Sequence, residues 1–460
     1  MTPGARFSTA IELLNEIRSA GRRPADAVAS VFFRQRRYIG SGDRRFISII
    51  VWGVLRHWRR IHWHLIQQKF KGEEILKNLF SAKKEESDEE SFFSSREICL
   101  AFSVMGTGSV KALQASFGTG KYAAAPLSKN ELTLLSRLEG LPFDHQDQSP
   151  AVRGEYPDWL SPLLEESFGS PEKIAKEVAA MQAEAPLDIR VNLLKATREE
   201  ALSVLRKADF PAEISPLSPW GIRLPSRSAI MSLDFFKNGI VEIQDEGSQI
   251  VALLANAKPG QRVVDYCAGA GGKTMAMAMN MENRGKIVAC DVSEVRLNGA
   301  VKRLRRAGVH NVERHLLVEG DKWLKRHKKD FDLVVIDAPC TGTGTWRRNP
   351  DARRTLAPID LEEIMQKQEE VLEKASSLLK IGGCLLYATC SILADENEKR
   401  IEKFLKTHPD FQMKDPATIS VDLPEILKKQ LQEKGYIRLT PAQHETDGFF
   451  ACLLERKEAD

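Results

Sequence analysis

The sequence predicts an α/β protein whose last part is a mostly parallel sheet covered by helices on both faces, preceded by an all-helical region and a small α+β module. Three observations carry that expectation. Residues 6 to 70 show apolar positions three and four apart with no convincing alternation. Residues 188 to 224 hold two strand-like runs around one amphipathic segment. From residue 262 onward short apolar runs alternate with helical segments, the order that builds parallel sheets.

In chain order, AIELLNEI, AVASVFF and FISIIVWGVL read as helices of a small bundle. KKEESDEESFFSS (83–95) is charged and poor in apolar residues, so it reads as a solvated loop or insertion before helical patterns resume towards Arg137. A second region begins near YPDWLSPLLEESFG (156–169). There DIRVNLL (188–194) and GIRL (221–224) read as strands, and TREEALSVLRKA (197–208) as a helix capped by Thr197 with Glu200 three residues on. The third region offers RVVDYC (262–267), KIVACD (286–291), FDLVVID (331–337) and GCLLYATC (383–390) as strands. The expected division is 1–137, 150–240 and 241–460.

Composition excludes several classes. An apolar fraction of 42% supports ordinary packed cores. Seven scattered cysteines, an odd number and never at C-x-x-C spacing, argue against a disulfide framework or zinc site and suggest a reducing cytoplasm. With no signal-type apolar core after the basic start and no apolar run near 18 residues, the chain is expected to be soluble and without a membrane partner. Nothing points to an obligate protein partner. Net charge is only +4, but residues 1–70 carry 13 Lys+Arg against 4 Asp+Glu. Arginines there interleave with Phe32, Phe33, Tyr38, Trp52, Trp58 and Trp63. Such a face suits phosphate backbones and unstacked bases, whereas the alternative is a solvated helical surface with its tryptophans in the core.

DYCAGAGGKT (265–274) ends like a nucleotide-triphosphate loop, yet Cys267 stands where that loop needs its first glycine. The dinucleotide pattern also fails, because Gly269 and Gly271 are followed by Thr274 in the third position. Asp291, nineteen residues after Gly272 at the end of the next strand, is placed to accept from ribose hydroxyls. Asp321, in the turn after HLLVEG, suits a similar part near an adenine. Loop and carboxylate together favour an adenosine ligand over a P-loop ATPase. Two further strands end in D-A-P-C, with Asp337 and Cys340, and in T-C, with Cys390. Two thiols and a carboxylate would thus reach one pocket.

Carbon 5 of cytosine is a poor nucleophile until a thiolate adds to carbon 6; the ring then takes a methyl group from a sulfonium donor such as S-adenosylmethionine. It also needs a partner at N3, which Asp337 would supply from a desolvated pocket. A free thiol titrates near ~8.5, so the nucleophile needs help from the electropositive surroundings of Lys273. On chemistry alone, Cys340 and Cys390 remain equal candidates.

At these residues the sequence resembles the RsmB/Sun family of RNA cytosine-5 methyltransferases, over nearly the whole chain. DYCAGAGGKT matches its cofactor loop, DAPCTGTGTWRRNPDARR its second signature and YATCSILADENE its third; QDEGSQ (244–249) and HETDGFF (444–450) match flanking segments. GSGDRRFISIIVWGVLR resembles the NusB-like helical RNA-binding domain of bacterial members. The resemblance implies a Rossmann-like S-adenosylmethionine domain, an RRM-like middle module and 5-methylcytosine formation in RNA, foremost 16S rRNA, with tRNA as the alternative substrate. It implies that Cys390 is the nucleophile, that Cys340 assists product release, and that Asp337 and Lys273 serve the chemistry. Cofactor contacts would fall on Cys267, Ala268, Gly269, Ala270, Gly271, Gly272, Lys273, Asp291, Arg296, Asp321 and Asp337. Trp346, Arg347 and Arg348 are expected to contact RNA around the flipped base. Ala270 departs from the family's usual proline, and the acidic stretch after Lys84 is foreign to such a helical domain. A non-catalytic RNA-binding assembly factor is the rival of another class; the intact Cys340 and Cys390 count against it.

Overall fold

A computed structural model of the chain describes residues 1–69, 92–118, 122–225 and 228–458. The chain divides into two units: Met1–Ala183 with Trp346–Pro358, and Glu184–Thr345 with Ile359–Asp460.

The first unit is helical. Helices Pro3–Ser19, Ala25–Gln35, Ser41–Arg56 and Trp58–Lys69 follow the expected spacing. In the first, Thr2 accepts from the Ala5 N–H and proline opens the helix, while Phe7, Ala10, Leu13, Leu14 and Ile17 form one buried face. Of the charged stretch 83–95, residues 83–91 lie outside the described residues. Phe93 is buried, and Ser94 caps Ser95–Val104 in a reciprocal box with Glu97. Trp58 and Trp63 belong to the interior, whereas Tyr38 is 70% exposed. The arginine–aromatic interleaving therefore splits: these tryptophans pack inward while part of the basic surface stays out.

The second unit opens with a four-stranded antiparallel sheet of β1 (Leu187–Val191), β2 (Glu213–Ile214), β3 (Gly221–Leu224) and β4 (Val241–Ile243), ordered β2-β3-β1-β4. Strand β1 stops short of the expected Leu194 because Asn192 turns the chain: its Oδ1 accepts from the Leu194 N–H and its Nδ2 donates to the Gly239 and Ala307 carbonyls. The helix Arg198–Lys207 carries the Thr197/Glu200 capping box.

The larger sheet contains β5 (Arg262–Asp265), β6 (Lys286–Asp291), β7 (Val312–Leu316), β8 (Phe331–Asp337), β9 (Leu379–Thr389), β10 (Phe411–Met413), β11 (Tyr436–Leu439) and β12 (Phe449–Arg456). Its order is β10-β12-β9-β8-β5-β6-β7, with β11 on β12. Strands β5 to β9 pair in parallel, whereas β12 runs antiparallel to β9 and carries β10 and β11 antiparallel to itself. The four expected strands are present, and the sheet is mixed. Strand β5 has β6 on one side and β8 on the other, so the chain reverses direction across the sheet at the carboxyl ends of β5 and β8, where ligands of such sheets collect. Among the described residues no helix is long and apolar enough to cross a membrane.

Candidate active site

Five strand ends and turns converge at this reversal. Strand β5 ends in buried Asp265 and passes into the loop Cys267–Gly271, which adopts positive φ at Gly269 (54°) and Gly271 (78°) before the helix Gly272–Asn280. A side chain at Gly271 would press on the Ala300 methyl at 3.2 Å, besides requiring a left-handed backbone. The loop is tied to the next strand: Ala268 N–H donates to Cys290 O (2.8 Å) and Gly269 N–H to Asp291 Oδ2 (2.8 Å), while Ser293 N–H donates to Asp291 Oδ1 (2.7 Å). Arg303 donates to the Ala270 carbonyl (2.7 Å) and pairs with Glu242 of β4, so the position lacking the family's proline is held from the side.

Lys273 lies on the first turn of that helix, and its ammonium is buried against Asp337 Oδ2 at 2.7 Å. Burial works against this charge, but Asp337, helped by Cys390 and Asp265, outweighs it and raises the lysine's pKa. Asp337 itself is 34% exposed and ion-paired, not the desolvated carboxyl expected from the sequence. Asp265 accepts from Thr274 Oγ1 (2.6 Å), and burial pushes its carboxyl up to about 7. The Cys267 thiol is also pushed up, first by burial and then by the carboxylates of Asp337, Asp265 and Asp291, so it remains a neutral loop residue.

The two sulfurs meet. Cys340 Sγ and Cys390 Sγ stand 3.3 Å apart, each just past the end of neighbouring parallel strands β8 and β9, where Asp337 pairs in register with Ala388. The Cys340 thiol is held protonated, first by its hydrogen bond to Cys390, then by burial and by the charges of Cys390 and Glu396. The loops are fused by main chain: Gly344 N–H donates to Cys390 O (2.9 Å) and Gly448 N–H to Gly344 O (2.8 Å). This is where the HETDGFF segment enters the site.

The other expected residues lie at the strand ends β6 and β7. Asp321 accepts from Trp323 N–H (2.8 Å) and from the His315 ring (2.6 Å), which lower its pKa. Arg296 is exposed on the helix Glu294–Ala307. Three exposed valines, Val292 (79%), Val295 (83%) and Val318 (58%), follow Asp291 or precede Asp321; reading the sequence missed them because single valines in polar segments carry no pattern. Also missed was Glu396, fully buried under the cysteine loops. One expectation is corrected: Trp346 is 1% exposed and Arg347 buried, and both pack with the helical unit, so neither offers a surface to RNA. The indole lies under the Arg353 guanidinium at 5.4 Å. Among the described residues no cluster suited to a metal ion occurs.

A family model described as 16S rRNA methyltransferase RsmB/F matches residues 252–455, and one described as an RsmF/B-like ferredoxin-like domain matches 156–231. The probable ribosomal RNA small subunit methyltransferase B of Bacillus subtilis is 29% identical over 324 residues, 69% of this chain and 71% of the relative. The protein of the same description from Synechocystis sp. is 32% identical over 318 residues, 67% of this chain and 69% of the relative. Among solved structures, PH0851 has the same fold over 99% of both chains, with a TM-score of 0.73 at 24% identity.

Proposed function

Because the chain belongs to the RsmB/F family of 16S rRNA methyltransferases, we propose that it moves a methyl group from S-adenosylmethionine to carbon 5 of a cytosine in small-subunit ribosomal RNA, through a covalent bond to Cys390. The observation that carries this reading is the pair of thiols 3.3 Å apart beside the Lys273–Asp337 ion pair. A phosphate ligand would want the lysine ammonium in the loop; here Asp337 takes it.

The donor fits the residues present. Asp291 sits at the strand end where ribose hydroxyls would be gripped, and the exposed Val292, Val295 and Val318 offer apolar surface for a purine. Cys267 to Lys273 supply the bend, with Arg296, Asp321 and Asp337 at its margins. S-adenosylmethionine, when bound, supplies an electrophilic methyl group on a sulfonium.

The residues divide the work. Cys390 Sγ adds to carbon 6, and the displaced π pair makes carbon 5 nucleophilic. Asp337, with the Lys273 proton at hand, faces the base at N3. After carbon 5 has taken the methyl carbon, its hydrogen leaves as a proton, the ring double bond reforms and the Cys390–carbon 6 bond breaks towards sulfur. Cys340, as a neutral thiol, donates a hydrogen bond to that departing sulfur. The balance is cytosine plus donor giving 5-methylcytosine, the neutral thioether and one proton. The base must leave its stack to reach this pocket.

Residues 1–137 are proposed to dock the RNA, 150–240 to orient it and 241–460 to carry out transfer; seven free cysteines suit a reducing cytoplasm. Incubation with RNA and labelled donor tests the reading: Cys340→Ala should accumulate a denaturation-resistant protein–RNA adduct and Cys390→Ala none. An adduct on Cys390→Ala overturns it.

A further inference from the structure

The residue following each cysteine is fastened to the same carboxylate. Glu396 Oε2 accepts from Thr341 N–H (2.9 Å) and Gln368 Nε2 (3.0 Å), and Oε1 from Thr341 Oγ1 (2.5 Å) and Ser391 Oγ. Thr341 follows Cys340, and Ser391 follows Cys390. Leu393 N–H donates to Ser391 Oγ and Ile392 N–H to Thr343 Oγ1, and the Ser391 hydroxyl also lies 3.0 Å from Thr343 Oγ1, so both cysteine turns join one cluster around Glu396. Two donors to Glu396 are fixed by type, the Thr341 amide and the Gln368 side chain, itself held to the Pro339 carbonyl one residue before Cys340.

A fully buried carboxyl persists only when hydrogen bonds compensate its lost solvation, and Glu396 has four. Burial raises the Glu396 pKa, and the four hydrogen bonds oppose that rise without cancelling it. Asn397, next in sequence, completes the brace: it accepts from Thr389 Oγ1 (2.5 Å) and donates to Ser391 O (2.9 Å).

We infer that Glu396 is a positioning residue for the methyl-transfer reaction: through Thr341 and Ser391 it locks the Cys340 and Cys390 turns together, which keeps the Cys340 thiol within hydrogen-bond reach of the Cys390 sulfur. The inference rests on the covalent reading above. Without the carboxylate, the Cys340 turn is no longer held against the Cys390 turn, the departing Cys390 sulfur loses its donor, and release of methylated RNA slows while addition continues.

The test compares Glu396→Gln, Cys340→Ala and the unaltered full chain in one assay of adduct yield, turnover and S-adenosylmethionine affinity. Glu396→Gln should leave donor affinity unchanged, lower kcat by ~10²-fold and raise adduct towards the Cys340→Ala level. In a Cys340→Ala background it should add nothing further. Thr341→Val, which removes one of the four hydrogen bonds and leaves the carboxyl, should shift the ratio of adduct to turnover the same way but less, and it serves alone should Glu396→Gln not fold. Loss of adduct and turnover together, or a kcat that does not change, overturns the inference. Failure of Cys340→Ala itself to trap adduct instead sinks the covalent reading, which separates the two.

Discussion

At the scale of single residues the site rests on groups whose charge states are set by burial and neighbours. Asp265 is the sharpest case, because its Oδ1 is buried without a hydrogen-bond partner while Oδ2 has only the Thr274 hydroxyl. Its folded pKa of about 7 lies above the ordinary aspartate value, so between those two values the folded chain binds more protons than the unfolded one. Stability should therefore fall as pH rises through that window, with a cost of about 4 kcal/mol fully developed above pH 7 and absent in acid. Asp265→Asn, which cannot ionise, should lack this slope. Melting curves of both proteins from pH 4 to about 8 check it: the wild-type chain should lose ground steadily to the variant, and parallel curves would refute the assignment. Asp321, at the end of the neighbouring turn, shifts the other way, its carboxyl held down by the Trp323 N–H and the His315 ring.

At the scale of elements, catalytic geometry depends on loops packed backbone against backbone. A Cβ on Gly344 would lie 2.4 Å from Gly448 O and 2.7 Å from Cys390 O, main-chain atoms that cannot swing aside. Gly344→Ala should cost at least ~1–3 kcal/mol and suppress adduct formation by parting the HETDGFF and Cys390 turns. By contrast Gly299, inside the helix Glu294–Ala307, has open space around its Cβ position, and Gly299→Ala should stabilise by about 0.5–1 kcal/mol. Denaturant melts of both variants read the two signs. The same contrast explains what the sequence made legible. Strands β5, β6, β8 and β9 were readable because each is an apolar run closed by a turn, and their polar ends announced the pocket. Strand β7, VERHL, is too polar along its length, and β12, FFACLLER, is buried on both faces and shows no alternation. Glu396 escaped for a related reason: an acid among D-E-N-E looks like a solvated helix start, and only the tertiary fold brings Thr341, Ser391 and Gln368 around it. Trp346 and Arg347 misled in the opposite direction, since an aromatic beside arginines reads as a nucleic-acid surface whether or not it is buried.

At the scale of the whole molecule, charge decides how a large polyanion is met. Much of the basic excess in residues 1–70 is spent inside the helical unit: Arg6 pairs with Asp43, Arg36 with Glu16, Arg59 with Asp158, and buried Arg60 with Glu155 and Asp144. These pairs brace helices and cannot also release counter-ions from RNA. Among what stays exposed, Arg34, Arg37, Arg44 and Arg45 flank Tyr38, while Arg22 and Arg23 lie on the turn after the first helix. An aromatic ring among guanidinium groups can stack on an unpaired base while the charges meet phosphates. If the Tyr38 turn docks the substrate, the paired change Arg37→Ala with Arg45→Ala should weaken RNA binding and reduce the slope of log K against log salt by about 1.5 to 2, one phosphate contact for each charge. Tyr38→Ala should weaken binding with the slope unchanged, because stacking releases no counter-ions. Both should leave kcat at saturating RNA as it was, since neither change touches the sulfur pair. Binding measured across a salt series distinguishes these outcomes: unaltered affinity in the arginine variant moves the docking surface elsewhere, and a fall in kcat instead ties this turn to the chemistry.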